Sequence, residues 1–224
     1  NKPSMVEVNL LSKLPQTNRN VGARAGGKTP EVVAASRAFG ELYFDGPREY
    51  GYGGYRYDYR WLPVAEHIVA HFNLKPGMRV LDVGAAKGVL VNDLMQVCHG
   101  LEVFGVDVSE YAVRNCHPHV VGRMHIGDAR ELPFPDSSFD CVLSINTLHN
   151  LVRDDVIVAL QELERVSKAR KRSYVVVDAY RTEEQRRLFE DWVLTALHYD
   201  TPEHWVYLLK EAGYTGDWYW TILE

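Results

Sequence analysis

The sequence has no long hydrophobic run and few cysteines. No stretch approaches the roughly 18 consecutive apolar residues of a transmembrane helix, and residues 1–4 lack the apolar core of a signal peptide. The three cysteines, Cys98, Cys116 and Cys141, form no C-x-x-C pair, which argues against a disulfide framework or a structural zinc site. We therefore expect a cytoplasmic protein that does not enter a membrane.

Positive charge is also scarce. The 25 lysines and arginines are outnumbered by 30 acidic residues, and the net charge of −5 disfavours nucleic-acid partners. Residues 1–28 are the exception, because they hold five basic residues against the single acid Glu7, which leaves about −9 for the rest of the chain. We expect them to be a mobile or conditionally ordered arm that folds onto the acidic body; RNA binding is the alternative.

From residue 61 onward the sequence alternates between helical and strand patterns. With 46% hydrophobic residues in a chain of 224, one domain with a sizeable core is expected. The alternation implies right-handed crossovers and an α/β fold with a Rossmann-like, doubly wound, mostly parallel sheet. We assign 61–224 to this domain and 1–60 to the arm and an aromatic lid. Strands are expected at 78–83, 101–107, 120–126, 139–145, 173–178 and 217–223, and helices at 61–72, 88–98, 110–115, 154–167, 183–197 and 202–212.

Residues 43–59, called the aromatic segment below, hold six of the thirteen tyrosines. The preceding helix, with Thr29 as N-cap and Pro30 in its first turn, is expected to end near residues 44–46. Three glycines within 51–54 then exclude a regular helix. The segment is either an aromatic loop packed on the surface or, as we favour, a glycine-hinged lid whose rings cover a ligand cation. The lid tyrosines would be Tyr43, Tyr50, Tyr52, Tyr55 and Tyr57.

A glycine turn follows the first predicted strand. Gly84 and Gly88 permit a tight turn and close backbone approach, and the next helix offers free N–H groups. Asp107 ends the second strand nineteen residues after Gly88, where a carboxylate can accept hydrogen bonds from both hydroxyls of a ribose. The turn is neither a G-x-G-x-x-G nor a Walker loop, so it favours a nucleoside site over a phosphate site.

Four motifs follow the predicted strands at a joint spacing that is highly specific. They are Asp82-Val83-Gly84-Ala85-Ala86-Lys87-Gly88, Gly105-Val106-Asp107-Val108-Ser109, residues 127–140, which begin Gly-Asp-Ala-Arg, and Ser144-Ile145-Asn146-Thr147-Leu148-His149. Together they resemble the class I S-adenosylmethionine (SAM)-dependent methyltransferases that act on small molecules. The resemblance covers residues 61–180 and implies that fold, SAM as the cofactor and no metal.

The resemblance also implies roles for individual residues. Asp107 would hold the ribose, while Asp128 would accept a hydrogen bond from the adenine amino group and Ala129 would offer its N–H. Backbone near Ile145 and Asn146 would receive the amino-acid end of the cofactor. The full set of expected cofactor contacts is Asp82, Gly84, Ala86, Lys87, Gly88, Asp107, Val108, Asp128, Ala129, Ile145 and Asn146.

The sequence departs from the family pattern in three places. Ala86 replaces the family's middle glycine, so the backbone would approach the cofactor less closely. Lys87 lies in a first helical turn, where the helix dipole disfavours a cation, and we hypothesise that it contacts the cofactor carboxylate. At the carboxyl end there is one clear strand where the family has an antiparallel pair, which puts the sixth and seventh strands in doubt.

Methyl transfer from a sulfonium needs an in-line nucleophile, proximity and desolvation more than strong acid–base groups. The candidate catalytic residues at strand ends are Asn146, His149 and Tyr180. His149 is either a general base or a helix-capping or supporting residue, and Tyr180 either lines the pocket or packs in the core or at the surface. No Asp/His/His cluster indicates a metal.

These features predict transfer of a methyl group from SAM to a nitrogen or oxygen of a small molecule, by a monomer or homodimer. In the alternative, SAM is the sole substrate and is cyclised, as in azetidine-2-carboxylate synthases, with release of methylthioadenosine. An aromatic lid without a dedicated base suits that chemistry too. The third class is a non-catalytic nucleoside-binding module. Because Asp107 and Asp128 are both intact, they give no reason to prefer that class.

Overall fold

The fold is known from a computed structural model, which describes residues 5–17, 19–168 and 172–224. The start of the predicted basic arm, including Lys2, lies outside the described residues. Six strands form one sheet in the order β3-β2-β1-β4-β5-β6, and neighbouring strands are parallel throughout. The strands are β1 Arg79–Val83, β2 Glu102–Asp107, β3 Met124–Ile126, β4 Cys141–Ile145, β5 Ser173–Asp178 and β6 Asp217–Thr221.

Helices cover both faces of the sheet, which confirms the predicted doubly wound α/β fold. They are α1 Val21–Gly27, α2 Pro30–Arg37, α3 Glu41–Asp45, α4 Leu62–Phe72, α5 Val89–Val97, α6 Glu110–Arg114, α7 Arg153–Val166, α8 Glu183–Trp192 and α9 Pro202–Glu211. Side chains alternate across each strand. In β5, Val175 and Val177 pack with α7 and α9, whereas Tyr174 and Val176 pack with α4 and α5. Both faces of β5 are therefore buried, as its continuous apolar run predicts.

Three predicted elements are shorter than expected by four residues or more. Thr29 caps α2 as predicted, but the helix ends at Arg37 because Phe39 adopts a positive φ of 51°, and a separate helix, α3, follows. Strand β3 starts only at Met124, since residues 118–120 form a 3-10 turn. Helix α8 ends at Trp192, after which the backbone is extended at residue 193.

The carboxyl-terminal edge of the sheet differs from the family arrangement. Strand β6 forms and pairs directly with β5 in parallel. On its other side Glu7 and Trp218 form a parallel bridge, with hydrogen bonds from Val8 N–H to Trp218 O (2.9 Å) and from Trp218 N–H to Val6 O (3.2 Å). A stretch from the amino-terminal end of the chain thus covers the outer side of the last strand.

The predicted basic arm folds onto the rest of the protein. Leu10 is buried, and its N–H donates to the hydroxyl oxygen of Tyr174, which donates to Val8 O. Further along, Lys28 Nζ lies 2.6 Å from the carbonyl oxygen of Glu190 in α8. Leu10 and Lys28 therefore attach the described part of the amino-terminal stretch to the sheet edge and to α8.

Candidate functional site

The turn after β1 has the backbone geometry that its glycines predict. Gly84 and Gly88 have φ values of +81° and +78°, and a Cβ on Gly84 would lie only 2.0 Å from Thr147 Oγ1. Ala86 also adopts a left-handed conformation, with φ of +51°. An L-residue tolerates this region poorly, so the neighbouring contacts must hold Ala86 there.

Asp107 supplies one such contact from the end of β2. Its Oδ2 accepts a hydrogen bond from Ala86 N–H at 2.8 Å, and its Oδ1 accepts one from Ser109 N–H at 2.9 Å. Burial raises the pKa of Asp107, while these two hydrogen bonds act in the opposite direction. The carboxylate is therefore fixed between two backbone turns at the edge of a cavity.

Asp82 is a second carboxylate beside Asp107. Only 5% of it is exposed. Burial, with a smaller contribution from the negative charge of Asp107, raises the pKa of Asp82 to about 7. A cation placed beside it would favour its ionised form. Asp82 is thus suited to bind a positively charged ligand group.

Asp128 follows β3 and is held by an arginine. Arg130 donates to both of its oxygens, with 2.6 Å between the Arg130 Nη2 and Asp128 Oδ2 atoms. These hydrogen bonds hold the pKa of Asp128 below its usual value. Because a carboxylate offers about four lone-pair sites, Asp128 can accept one further hydrogen bond, as the resemblance implies.

One cavity of about 1290 Å³ joins these groups. This exceeds the ~300–1,000 Å³ usual for one small ligand, so it has room for a cofactor and a second small molecule. Ribose hydroxyls, an adenine amino group and a cationic amino-acid end are all groups that carboxylates bind, so the residues fit SAM. The expected residues that line the cavity are Asp82, Gly84, Ala86, Asp107, Val108, Asp128, Ala129, Ile145, Asn146, Tyr43, Tyr52 and Tyr55.

The aromatic segment packs beside the glycine turn. Phe44 is buried in a cluster with Ala86 and Ala112, and Tyr52 and Tyr55 meet edge to face with 4.7 Å between ring centroids. Burial raises the pKa of Tyr55, and the charges of Asp82 and Asp107 raise it further. The Tyr55 hydroxyl therefore lies near both carboxylates.

Hydrogen bonds at Asp45 and Tyr57 attach this segment to the domain. Asp45 Oδ2 accepts hydrogen bonds from Lys87 Nζ at 2.5 Å and from the Tyr111 hydroxyl at 2.6 Å. The Tyr57 hydroxyl donates to Asp93 Oδ1 of α5 at 2.6 Å. Tyr52 and Tyr55 lie between these attachment points, on the cavity side.

Other expected site residues do not line the cavity. Lys87 has Asp45 as its carboxylate partner, which leaves no support here for a contact with the cofactor carboxylate. Gly88 serves the backbone turn, since a Cβ there would lie 2.7 Å from Val120 Cγ2. Tyr57 faces Asp93, and the carbonyl of Tyr50 accepts a hydrogen bond from Ser36.

His149 and Tyr180 also lie away from the cavity wall. His149 is 6% exposed, and its Nδ1 accepts a hydrogen bond from the backbone N–H of Asp178 at 2.9 Å. Its carbonyl accepts from Leu197 N–H and His198 N–H. This geometry matches the supporting role and not the general base. Tyr180 packs beside Tyr199, with 6.3 Å between ring centroids.

The sequence prediction missed two walls of the cavity. One is the amino-terminal stretch that includes Leu11, Ser12 and Arg19, and the other is the end of β6 with residues 219–222. Alternating apolar residues in Val6-Glu7-Val8-Asn9-Leu10 were the available sign that this stretch joins the sheet. The described residues contain no group of three or more His, Cys, Asp or Glu that could hold a metal ion. Every described helix is too short or too polar to span a bilayer.

Residues 81–175 match the family model described as a methyltransferase domain. The chain is 28% identical over 191 residues to sterol 24-C-methyltransferase ERG6B of Gibberella zeae. This alignment covers 70% of this chain and 48% of the relative. It is 36% identical over 110 residues to demethylmenaquinone methyltransferase of Staphylococcus haemolyticus, covering 46% of this chain and 44% of the relative. The chain thus spans about half the length of the curated relatives it matches.

A solved structure has the same fold over most of its length. The SAM-dependent methyltransferase of Aquifex aeolicus aligns with a TM-score of 0.51 at 20% identity, covering 88% of this chain and 89% of that one. At this identity the likeness concerns the fold alone. The family model and the curated relatives agree with the resemblance drawn from the four motifs.

Proposed function

We propose that this chain, whose residues 81–175 match the family model described as a methyltransferase domain, transfers the methyl group of SAM to a small-molecule acceptor. One observation carries the proposal: the carboxylates of Asp82, Asp107 and Asp128 line the same cavity as Asn146 and Tyr55. That cavity continues beyond the cofactor half towards the amino-terminal stretch, which leaves room for an acceptor.

In the cofactor half, each carboxylate matches one part of SAM. Asp107 would accept hydrogen bonds from the ribose hydroxyls, Asp128 from the adenine amino group, and Asp82 would face the cationic amino-acid end. When bound, SAM supplies an electrophilic methyl group on a sulfonium. The protein's part is to hold the acceptor in line with that group and to exclude water.

In the acceptor half, Asn146 and the lid tyrosines are the proposed reaction environment. Asn146 has φ of +54°, and its Oδ1 accepts a hydrogen bond from Thr221 Oγ1 at 3.0 Å. This contact orients the amide at the junction of the two halves. Tyr43, Tyr52 and Tyr55 would cover the sulfonium with their ring faces. His149 is proposed to act only through the backbone that it supports, and Tyr180 is proposed to have no direct part in the reaction.

The class of acceptor is proposed as a small molecule, in keeping with the net charge of −5 and with relatives named for sterol and demethylmenaquinone substrates. The first of those names specifies a carbon acceptor, whereas the sequence led us to expect nitrogen or oxygen. The acceptor atom is thus for product analysis to identify.

The test uses SAM labelled in its methyl group, incubated with the full chain alone and with the small-molecule fraction of a cell extract. We expect intact SAM without extract, and S-adenosylhomocysteine plus a labelled small molecule with extract. Methylthioadenosine formed from SAM alone, and only when the protein is present, would instead indicate that SAM is the sole substrate and is cyclised or cleaved. Label in macromolecules added in a parallel incubation, and not in the small-molecule fraction, would also overturn the proposal.

A further inference from the structure

Three arginines surround one tryptophan at the junction of the amino-terminal stretch and α8. The guanidinium carbons of Arg19, Arg24 and Arg48 lie 5.9, 4.6 and 5.6 Å from the ring centroid of Trp192. We call these three the arginine cluster. Such distances permit cation–π attraction, which holds the guanidinium groups on a shared aromatic surface.

No carboxylate of the described residues forms an ion pair with the arginine cluster. Among the ion pairs within the described ranges, none involves Arg19, Arg24 or Arg48, and Arg48 donates only to the carbonyl of Gly51. Partial desolvation lowers the pKa of Arg19 and Arg24, and the charge of Arg48 acts in the same direction on both. An arginine stays protonated in a protein, so three positive charges repel one another here.

The nearest opposing charge is weak. Asp178 is the carboxylate whose charge acts on Arg19. Burial raises the pKa of Asp178, and its Oδ2 lies 3.7 Å from His149 Nδ1. This single buried carboxylate therefore does not offset three arginines.

The cluster reaches the acceptor half of the cavity through Arg19, whereas Arg24 and Arg48 lie at the same Trp192 ring outside the cavity lining. Arg19 lines that cavity, as do Arg37 and Arg56, which have no ion pair among the described residues either. In the acceptor half of the cavity the acidic lining residues are Asp58 and Glu224. Because Asp58 forms an ion pair with Arg60, Glu224 remains as the unpaired acid there among the described residues. The cofactor half of the cavity is thus negative, whereas its acceptor half is positive.

We propose that the acceptor carries a phosphoryl group, and that the arginine cluster binds it. The flat guanidinium fork matches two phosphate oxygens at once, and a phosphoryl dianion offsets more of the cluster's charge than one carboxylate does. The proposal rests on the proposed methyl transfer, since it names the class of that reaction's acceptor.

Calorimetric titration of the S-adenosylhomocysteine complex with inorganic phosphate and pyrophosphate tests this, at constant ionic strength. The variants are Arg19→Gln and Arg24→Gln. Arg187→Gln is the matched control, because Arg187 lies on α8 with a side chain that is 75% exposed. We expect saturable binding in the parent protein, at least about tenfold weaker in both cluster variants and unchanged in the control, since one charged hydrogen bond is worth ~1.5–3 kcal/mol.

Equal binding by all variants, or no saturable binding, would overturn the phosphoryl site. Malonate that binds more tightly than phosphate would also overturn it and indicate a carboxylate acceptor. Failure of the proposed methyl transfer is distinguishable, because S-adenosylhomocysteine binding is measured first and does not involve the arginine cluster.

Discussion

The ammonium of Lys87 forms an ion pair with Asp45, a residue 42 positions earlier in the chain, with 2.5 Å between Nζ and Oδ2. Lys87 lies in the glycine turn, one residue before Gly88, the N-cap of α5, and Asp45 ends α3 in the aromatic segment. The Tyr111 hydroxyl donates to the same carboxylate oxygen. The cofactor turn and the proposed lid are therefore joined by one partly buried carboxylate.

Asp45→Asn should loosen the aromatic segment without unfolding the domain. Burial raises the pKa of Asp45, but hydrogen bonds from Lys87 and Tyr111 outweigh burial, so this pKa lies below its usual value. The ionised carboxylate stabilises the fold above about pH 4. This contribution to stability is lost as the pH falls through the lowered folded-state pKa of Asp45. Hydrogen exchange at pH 7 should be faster in residues 41–57. Asp58→Asn, which removes a local exposed pair with Arg60, is the control; an equal effect there would contradict this role.

SAM binding should weaken as the pH falls through 7. A cationic ligand favours the ionised form of Asp82, whose pKa is about 7 in the free protein. Between pH 8 and pH 6 the dissociation constant should rise about tenfold, because the ionised fraction falls by that factor. Asp82→Asn should bind weakly at every pH. A dissociation constant that stays flat in the parent protein would refute a role for the Asp82 charge.

Asp82 should also make the stability of the fold depend on pH, but in the opposite sense to SAM binding. The pKa of Asp82 is higher in the folded state than in an unfolded chain, so its proton stabilises the fold at low pH and this contribution is lost as pH rises through about 7. In the ligand-free protein, Asp82→Asn should therefore raise Tm more at pH 8 than at pH 5. A Tm shift that is the same at both values would contradict this.

Tyr55→Ala should weaken SAM binding by about 5- to 30-fold, because one cation–π contact is worth ~1–2 kcal/mol when desolvated. Tyr59→Ala is the matched control, since Tyr59 lies in the same segment, is 64% exposed and does not line the cavity. Calorimetry with SAM measures both. Equal losses in the two variants would mean that the segment acts as a loop packed on the surface and not as a lid.

Tyr174→Phe should release the amino-terminal stretch from the sheet. The Tyr174 hydroxyl accepts from Leu10 N–H at 3.1 Å and donates to Val8 O at 2.6 Å, so its loss leaves two backbone groups unpaired. The free energy of unfolding should fall by about 2 kcal/mol, as measured by urea denaturation. Tyr207→Phe, at an exposed residue, should have no effect. Comparable stability of both variants would show that this stretch is held by other contacts.

The strands and the glycine turn could be predicted from the sequence because their signals are local. An apolar run sets β5, and Gly84 with Gly88 sets the turn after β1. The pairing of Glu7 with Trp218 could not be predicted, because it joins opposite ends of the chain. The sequence pattern of neither end indicates which residue it pairs with. The parallel orientation of β6 depends on that same non-local packing.

The place of a residue in the cavity was predictable where it follows from the position at a strand end, as for Asp107 and Asp128. The site was not predictable where a side chain could contact any of several residues that are distant in the sequence. The helix dipole predicted that an anion lies near Lys87, but the sequence does not show that this anion is Asp45. His149 similarly has its Nδ1 occupied by the backbone of β5, a contact that depends on how the turn after β4 closes.

The central claim is that Asp107 holds SAM in this cavity, and calorimetric titration with SAM tests it most directly. The parent protein and Asp154→Asn, a change at a side chain that is 92% exposed, should both show saturable binding with one site per chain. In Asp107→Asn the dissociation constant should rise at least about tenfold, because hydrogen bonds to a charged acceptor are worth ~1.5–3 kcal/mol. Unchanged affinity in Asp107→Asn, or no saturable binding by the parent protein, would contradict the claim.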